Sequence, residues 1–249
     1  MHPLMKLMVQ NKKRGFFSVE NMENNESTIY VYDVIVSTDD EAEYWGGISP
    51  EAFIKTLNDI KSDTVHVRYN SPGGDVFAAR AMEQSIKDHP SHIVSHVDGY
   101  AASAASYMAL AGDEVIINES GFFMIHKAWT FAYGNSDDLL KTAELLDQID
   151  GTLINTYEKA TGQNSEDIEQ WMKEETWIGG AQAVELGFAD SIAEEKPKAQ
   201  AKAWDLSAYE HAPAVENKPE PIPEEPPAPE EKTDLDALLR NLEYIEKAA

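Results

Sequence analysis

The run Gly99-Tyr100-Ala101-Ala102-Ser103-Ala104-Ala105-Ser106 follows directly on the apolar segment Ile93-Val94-Ser95-His96-Val97. A β-branched, apolar segment reads as a buried strand, and the alanine-rich run after it reads as a sharp turn into a packed helix. Such a corner constrains the fold strongly, because each small side chain is a place where backbone comes close to backbone. A nucleophilic serine has the same needs: a tight turn, and neighbours small enough to admit a substrate carbonyl. Downstream, Phe122-Phe123-Met124-Ile125-His126 ends an apolar run on a histidine. Upstream, Asn70-Ser71-Pro72-Gly73-Gly74 offers a glycine turn with free N–H groups for an oxyanion. Serine, histidine and paired glycines are three parts of an acyl-transfer site. Singly, each also fits a packing role: a small helix residue, a histidine at a strand end, an ordinary turn. Ser106 is the competing nucleophile. It lies about one helical turn deeper, on the packing face.

The same strand–turn–helix alternation runs along the chain. Strands are expected at residues 28–36, 64–69, 93–97, 114–117 and 122–125. Ser49-Pro50-Glu51 opens a helix with Phe53, Ile54, Leu57 and Ile60 on one face. Another helix is expected over 76–87. A long one is expected from Ser136-Asp137-Asp138 to Ala160, ended by Gly162. The pattern predicts an α/β fold with a largely parallel sheet.

Four domain segments follow: a mobile N-terminal segment 1–27, a catalytic domain 28–195, an acidic proline-rich linker 196–232 and a short amphipathic helix 233–249. Within residues 1–27 only Gly15-Phe16-Phe17-Ser18-Val19 reads as a strand. The linker core, Pro219 to Glu231, suits an extended solvated chain. Leu235, Leu238, Leu239, Leu242 and Ile245 share one helix face. The tail is therefore expected to act as a tether or targeting element, separate from the catalytic core.

Net charge is −25, which argues against nucleic-acid binding, since phosphates are recognised by basic patches. The chain has no cysteine, so disulfides, thiol catalysis and cysteine-ligated metals are excluded. His89, His92 and His96 have no acidic partner at ligand spacing, so no metal is expected. With no G-x-x-x-x-G-K-[ST] pattern, the chain is expected not to hydrolyse ATP itself. No cofactor is expected. No stretch has the length of a membrane span or a signal peptide, so a cytoplasmic protein without membrane association is expected.

Four stretches carry a family resemblance: residues 69–76, residues 99–106, Met124-Ile125-His126, and Glu175-Thr176-Trp177-Ile178 followed by residues 183–190. Together they resemble the Clp protease proteolytic subunit family, and most of all its bacteriophage head maturation branch. The resemblance runs from about Ile29 to Ile192. It implies a Clp/crotonase-like fold with a projecting handle helix and a homo-oligomeric ring. It implies a serine endopeptidase with Ser103 as nucleophile, His126 as base and Glu175 as third member, and the N–H groups of Gly74 and Ala104 as oxyanion hole. The family usually has aspartate where Glu175 stands, and adjacent Glu174 is an alternative. Lys127 is an alternative base. The phage branch implies capsid and scaffold precursors as protein substrates, inside the assembling procapsid in the host cytoplasm. Three rivals remain: a cellular Clp subunit working with a separate ATPase unfoldase, a crotonase-like acyl-CoA enzyme, and a non-catalytic scaffold protein. A serine-directed fluorophosphonate separates the last two from a peptidase.

Overall fold

The computed structural model describes residues 3–21, 24–193 and 204–213. The parallel sheet expected from the sequence is present. Strands β1 (Phe16–Asn21), β2 (Glu26–Tyr32), β3 (Thr64–Ser71), β4 (His92–Ala102), β5 (Glu114–Ile117) and β8 (Ser191–Ile192) lie in that order. β6 (Phe122–Ile125) branches from β4, and β7 (Thr176–Gly179) pairs with β6. Only β1 and β7 run antiparallel to their neighbours. β4 is the shared strand. Its first half pairs with β5 through Val94–Val97, and its last residues, Tyr100–Ala102, pair with β6.

Helices α3 (Pro50–Asp59), α4 (Val76–Lys87), α5 (Ala104–Ala109) and α7 (Ser165–Lys173) supply the apolar core, with the second half of α6 (Ser136–Thr161). Their caps follow local chemistry: the side chains of Ser49, Asp75 and Asn164 accept N–H groups three residues on. Fully buried Phe53, Leu57, Met82, Tyr107 and Phe123 lie between helices and sheet. α6 begins at Ser136, where its sequence signature put it, and Asn135 caps it in a reciprocal box with Asp138. Helices α2 (Asp39–Trp45) and α8 (Gly180–Glu185) are short.

The strand expected at residues 28–36 stops at Tyr32. Beyond it the Asp33 carboxylate accepts the N–H groups of Val34 and Gly47 and turns the chain. Ile35 then bridges both Ile48 and Gly74. β3 and β4 lose register between Tyr69 and Ser71. There the Asn70 side chain accepts the Tyr100 N–H, and Gly99 passes so close that a Cβ would lie 2.5 Å from Asn70 Oδ1.

Two expectations about the ends are corrected. Most of the N-terminal segment is ordered into elements: α1 (Pro3–Gln10) precedes β1, which pairs with β2 over its whole length. Residues 204–213, expected within an extended linker, pack against the sheet face opposite the main helices. Trp204, Leu206, Ala208 and Tyr209 form a second apolar cluster with Leu7, Val34, Val36, Ala102 and Met124. The physical reason is burial: α1 and this segment cover apolar side chains of one another and of the sheet in a single cluster. Buried Asn11 joins them, exchanging hydrogen bonds with the Asp205 backbone at 2.9 and 2.8 Å. The expected helix 233–249 and the proline-rich core of the linker lie outside the described residues.

Asn11→Ala leaves the Asp205 backbone groups partly unpaired and is expected to cost about 1–3 kcal/mol. Thermal melting followed by tryptophan fluorescence, with Trp204 replaced in a control, checks this.

Candidate active site

Three of the residues singled out in the sequence lie just beyond the ends of three neighbouring strands. Ser103 follows β4, His126 follows β6, and Glu175 precedes antiparallel β7. The register pairs Ala102 with Met124, Met124 with Trp177, and Ile125 with Thr176. Backbone pairing therefore delivers all three to one edge of the sheet. Ser103 Oγ lies 2.7 Å from His126 Nε2.

Ser103 sits at φ 51° and ψ −122°, a conformation that non-glycine residues avoid. Its N–H donates to Met124 O at 2.8 Å, and Ala104 begins α5. Such a sharp strand-to-helix turn holds the hydroxyl clear of the helix, and Ser103 makes no side-chain cap to its own helix. Gly73 makes room for the turn. A Cβ there would lie 2.6 Å from Ala102 O and 2.7 Å from Ser103 Cβ. Gly74 is equally confined, since its Cβ would lie 1.9 Å from Ile35 O. The N–H groups of Gly74 and Ala104 make no hydrogen bond to another described residue.

Ser106, the competing nucleophile, is fully buried and bonded to Ser103 O and to the Tyr157 hydroxyl, both at 2.6 Å. It ties α5 to α6. Lys127, the alternative base, points to Asp150 at 3.3 Å. His96 pairs with His66 at 2.9 Å, and His92 with Asp113 at 3.5 Å, so the three histidines do not converge. Among the described residues no group of three metal-ligating side chains converges, and no helix is long and apolar enough to cross a membrane.

His126 is almost fully buried, edge-on to the rings of Trp129 and Tyr209. Burial pushes its pKa down to about 4, against a smaller upward pull from the Glu175 charge. The ring is therefore neutral at pH 7 and able to accept the Ser103 proton at Nε2. Glu175 is not hydrogen-bonded to it. Its Oε1 accepts the His211 N–H at 2.7 Å and the Trp177 indole at 3.3 Å, and its Oε2 accepts the Glu210 N–H at 3.0 Å. Glu174 turns outward to Gln170.

Sequence reasoning missed two contributors. Asp150, buried on α6, accepts the Ala128 N–H at 2.8 Å and pairs with Lys127, fixing the two residues after the histidine. Its signal was a charged residue on the apolar face of the helix. Tyr209 was missed because it lies far from every motif, in a segment flanked by acidic and proline-rich sequence.

A cavity of about 350 Å³ opens beside Ser103 and His126. Met8, Ile35, Trp45, Phe77, Trp129 and Leu146 give it apolar walls, while Glu41 and Asp75 add negative charge. Gly74 lines it too.

The Clp protease family matches residues 51–196, more than half of the chain and the part that holds this site. The chain belongs to the Clp protease family. Similar proteins include ATP-dependent Clp protease proteolytic subunit 1 of Chlamydia muridarum, 33% identical over 128 residues. That alignment covers 49% of this chain and 66% of the relative, just short of two thirds of its length. The subunit of the same name from Leifsonia xyli is 25% identical over 149 residues, 59% of this chain and 75% of the relative. That of Protochlamydia amoebophila is 32% identical over 128 residues, 49% and 62%. Membership is consistent with serine-type endopeptidase chemistry.

Two predictions follow from this geometry. A reaction that needs neutral His126 keeps its rate from pH 7 to 5 and loses it as pH falls through about 4, where the ring gains a proton. A pH–rate profile on a short peptide checks this. Asp150→Ala is expected to lower kcat by roughly tenfold with little change in KM, because the peptide after His126 loses its anchor. Asp150→Asn, which keeps an acceptor for the Ala128 N–H, restores much of the loss.

Proposed function

We propose that this chain is a serine endopeptidase of the Clp type. The observation that carries the reading is the 2.7 Å contact between Ser103 Oγ and neutral His126 Nε2, with the serine on a strained turn. Ser103 attacks the peptide carbonyl while His126 takes the hydroxyl proton. The imidazolium then protonates the leaving amine, and water hydrolyses the acyl-enzyme by the reverse proton route. The Gly74 and Ala104 N–H groups receive the oxyanion. Each such donor contributes about 3 kcal/mol to the transition state. Glu175 orients the imidazole once its carboxylate reaches Nδ1. Gly74 has to be glycine at this place, because a Cβ there would lie 1.9 Å from Ile35 O.

The apolar walls of the cavity support cleavage beside a large apolar side chain. Glu41 and Asp75 disfavour an acidic one. The relatives are bacterial Clp proteolytic subunits, named as ATP-dependent. They favour a proteolytic subunit fed by a separate ATPase over head maturation of a phage capsid, and none of those described here is a phage protein. Exposed Leu139, Leu140 and Leu145 on the first half of α6 support assembly with further copies of the chain.

A fluorophosphonate probe is expected to label Ser103, and Ser103→Ala to abolish labelling and cut peptide hydrolysis by at least about 10³-fold with the fold intact. Labelling that persists in Ser103→Ala refutes the assignment. Glu175→Gln is expected to lose roughly 10²–10⁴-fold, and Glu174→Gln to stay near wild type. Equal losses refute Glu175 as the third member.

A further inference from the structure

Residues 204–213 meet the Ser103–His126 pair through the Tyr209 ring, which lies edge-on to His126. The indole N–H of Trp204 donates to Asn70 O at 2.9 Å, and the Tyr209 hydroxyl donates to Pro72 O. Both carbonyls belong to the end of β3 and the glycine turn, where the register with β4 breaks. The Tyr209 ring is buried between His126, Trp129 and Trp177, with centroids at 5.5, 5.4 and 5.9 Å. The next two backbone N–H groups, of Glu210 and His211, both go to the Glu175 carboxylate, and His211 Nδ1 reaches Glu174 O at 2.8 Å.

The consequence for the site is specific. Glu175 spends its acceptors on the segment and the Trp177 indole, and none on His126. Ser103 and His126 are joined, while the link from the acid to Nδ1 is missing among the described residues. We propose that the sheet face beside the Ser103–His126 pair is a docking site for the chain's own residues 204–213, and that the docked segment keeps Glu175 from His126, so that the peptidase is latent until the segment leaves. This rests on the serine peptidase reading above.

The chemistry of the docking site matches this occupant. An apolar cluster buries Trp204 and Tyr209, two backbone carbonyls take their polar hydrogens, and a carboxylate takes two consecutive N–H groups. The contacts to Glu175 are exposed to solvent. A neutral hydrogen bond in water contributes only about 0.5–1.5 kcal/mol net, and one to a charge little more. The grip on Glu175 is therefore the part that opens first, and the tether to the catalytic domain keeps the segment close for return.

The test uses the full chain in three forms: wild type, Tyr209→Ala and His211→Pro. Rates of fluorophosphonate labelling at Ser103 and of short-peptide hydrolysis are measured for each. Both variants are expected to be at least about tenfold faster than wild type, as a mainly docked population becomes competent. A synthetic peptide of residues 204–213 added in excess is expected to slow Tyr209→Ala again. The same peptide with its tyrosine replaced by alanine is expected not to. His211→Pro removes one N–H donor at an exposed position, so it decides the matter if Tyr209→Ala does not fold. Folded variants that are slower than wild type overturn the inference and make the segment a part of the working site. Unchanged rates, or no effect of the peptide, also overturn it. Labelling of Ser103 in wild type upholds the peptidase reading in either case. Absence of labelling in all three chains removes that reading and the inference together.

Discussion

The close passage of Gly73 across the Ser103 turn is the contact on which the candidate site depends. Two strand-to-helix turns, β3 to α4 and β4 to α5, meet there with backbone against backbone. Any side chain at Gly73 would strike Ala102 O, Ser103 Cβ and the Ala104 N at less than 3 Å. The contact supports the strained serine backbone, and Ile35 bridges the glycine turn through Gly73 O and the Asp75 N–H. The strain of about 1–3 kcal/mol at a residue such as Ser103 persists only where its surroundings over-determine the backbone. Here a sheet hydrogen bond to Met124 and the glycine turn do so.

Electrostatics at the site follows from burial. Neutral His126 needs little around it to remain neutral, and its aromatic neighbours keep water away. Those same neighbours make the imidazolium costly. A histidine that must gain a proton during reaction then depends on a nearby carboxylate. That dependence makes the position of one glutamate side chain decisive, and it explains why a ten-residue segment can matter to a site formed earlier in the chain.

Much of the sheet was legible in the sequence, because buried parallel strands read as short apolar runs and their turns carry glycine, asparagine and serine. β3, α4, β5 and β6 fall where the pattern puts them. Ser103 and His126 were each legible at the end of an apolar run, and the resemblance joined them; that their strands are neighbours is a finding of the structure. What local pattern could not reveal are contacts between distant parts. α1 is ordered by a segment 194 residues away, through Asn11 and Asp205. Residues 204–213 sit beside sequence of acidic, proline-rich composition, and the overall bias hides the alternation of buried Trp204, Leu206 and Ala208. That alternation, with two aromatic residues close together, was the available signal. The partner of Glu175 was not legible at all, because a side chain's choice among acceptors and donors is decided by backbone N–H groups that carry no sequence signature.

The strand ends that carry Ser103, His126 and Glu175 also determine where the chain tolerates a change in length. One residue added to Tyr100–Ala102 or to β6 would move the serine or the histidine by about 3.3 Å and turn it to the other face. No side-chain rotation recovers a 2.7 Å contact from that. The connection between Lys127 and Asn135 is different. Asp150 holds its first residues and the Asn135 cap fixes its last, so the exposed stretch around Phe131 and Tyr133 can grow or shrink without moving either anchor. Insertions and deletions among relatives of this chain should therefore gather in that loop and avoid the short strands beside it.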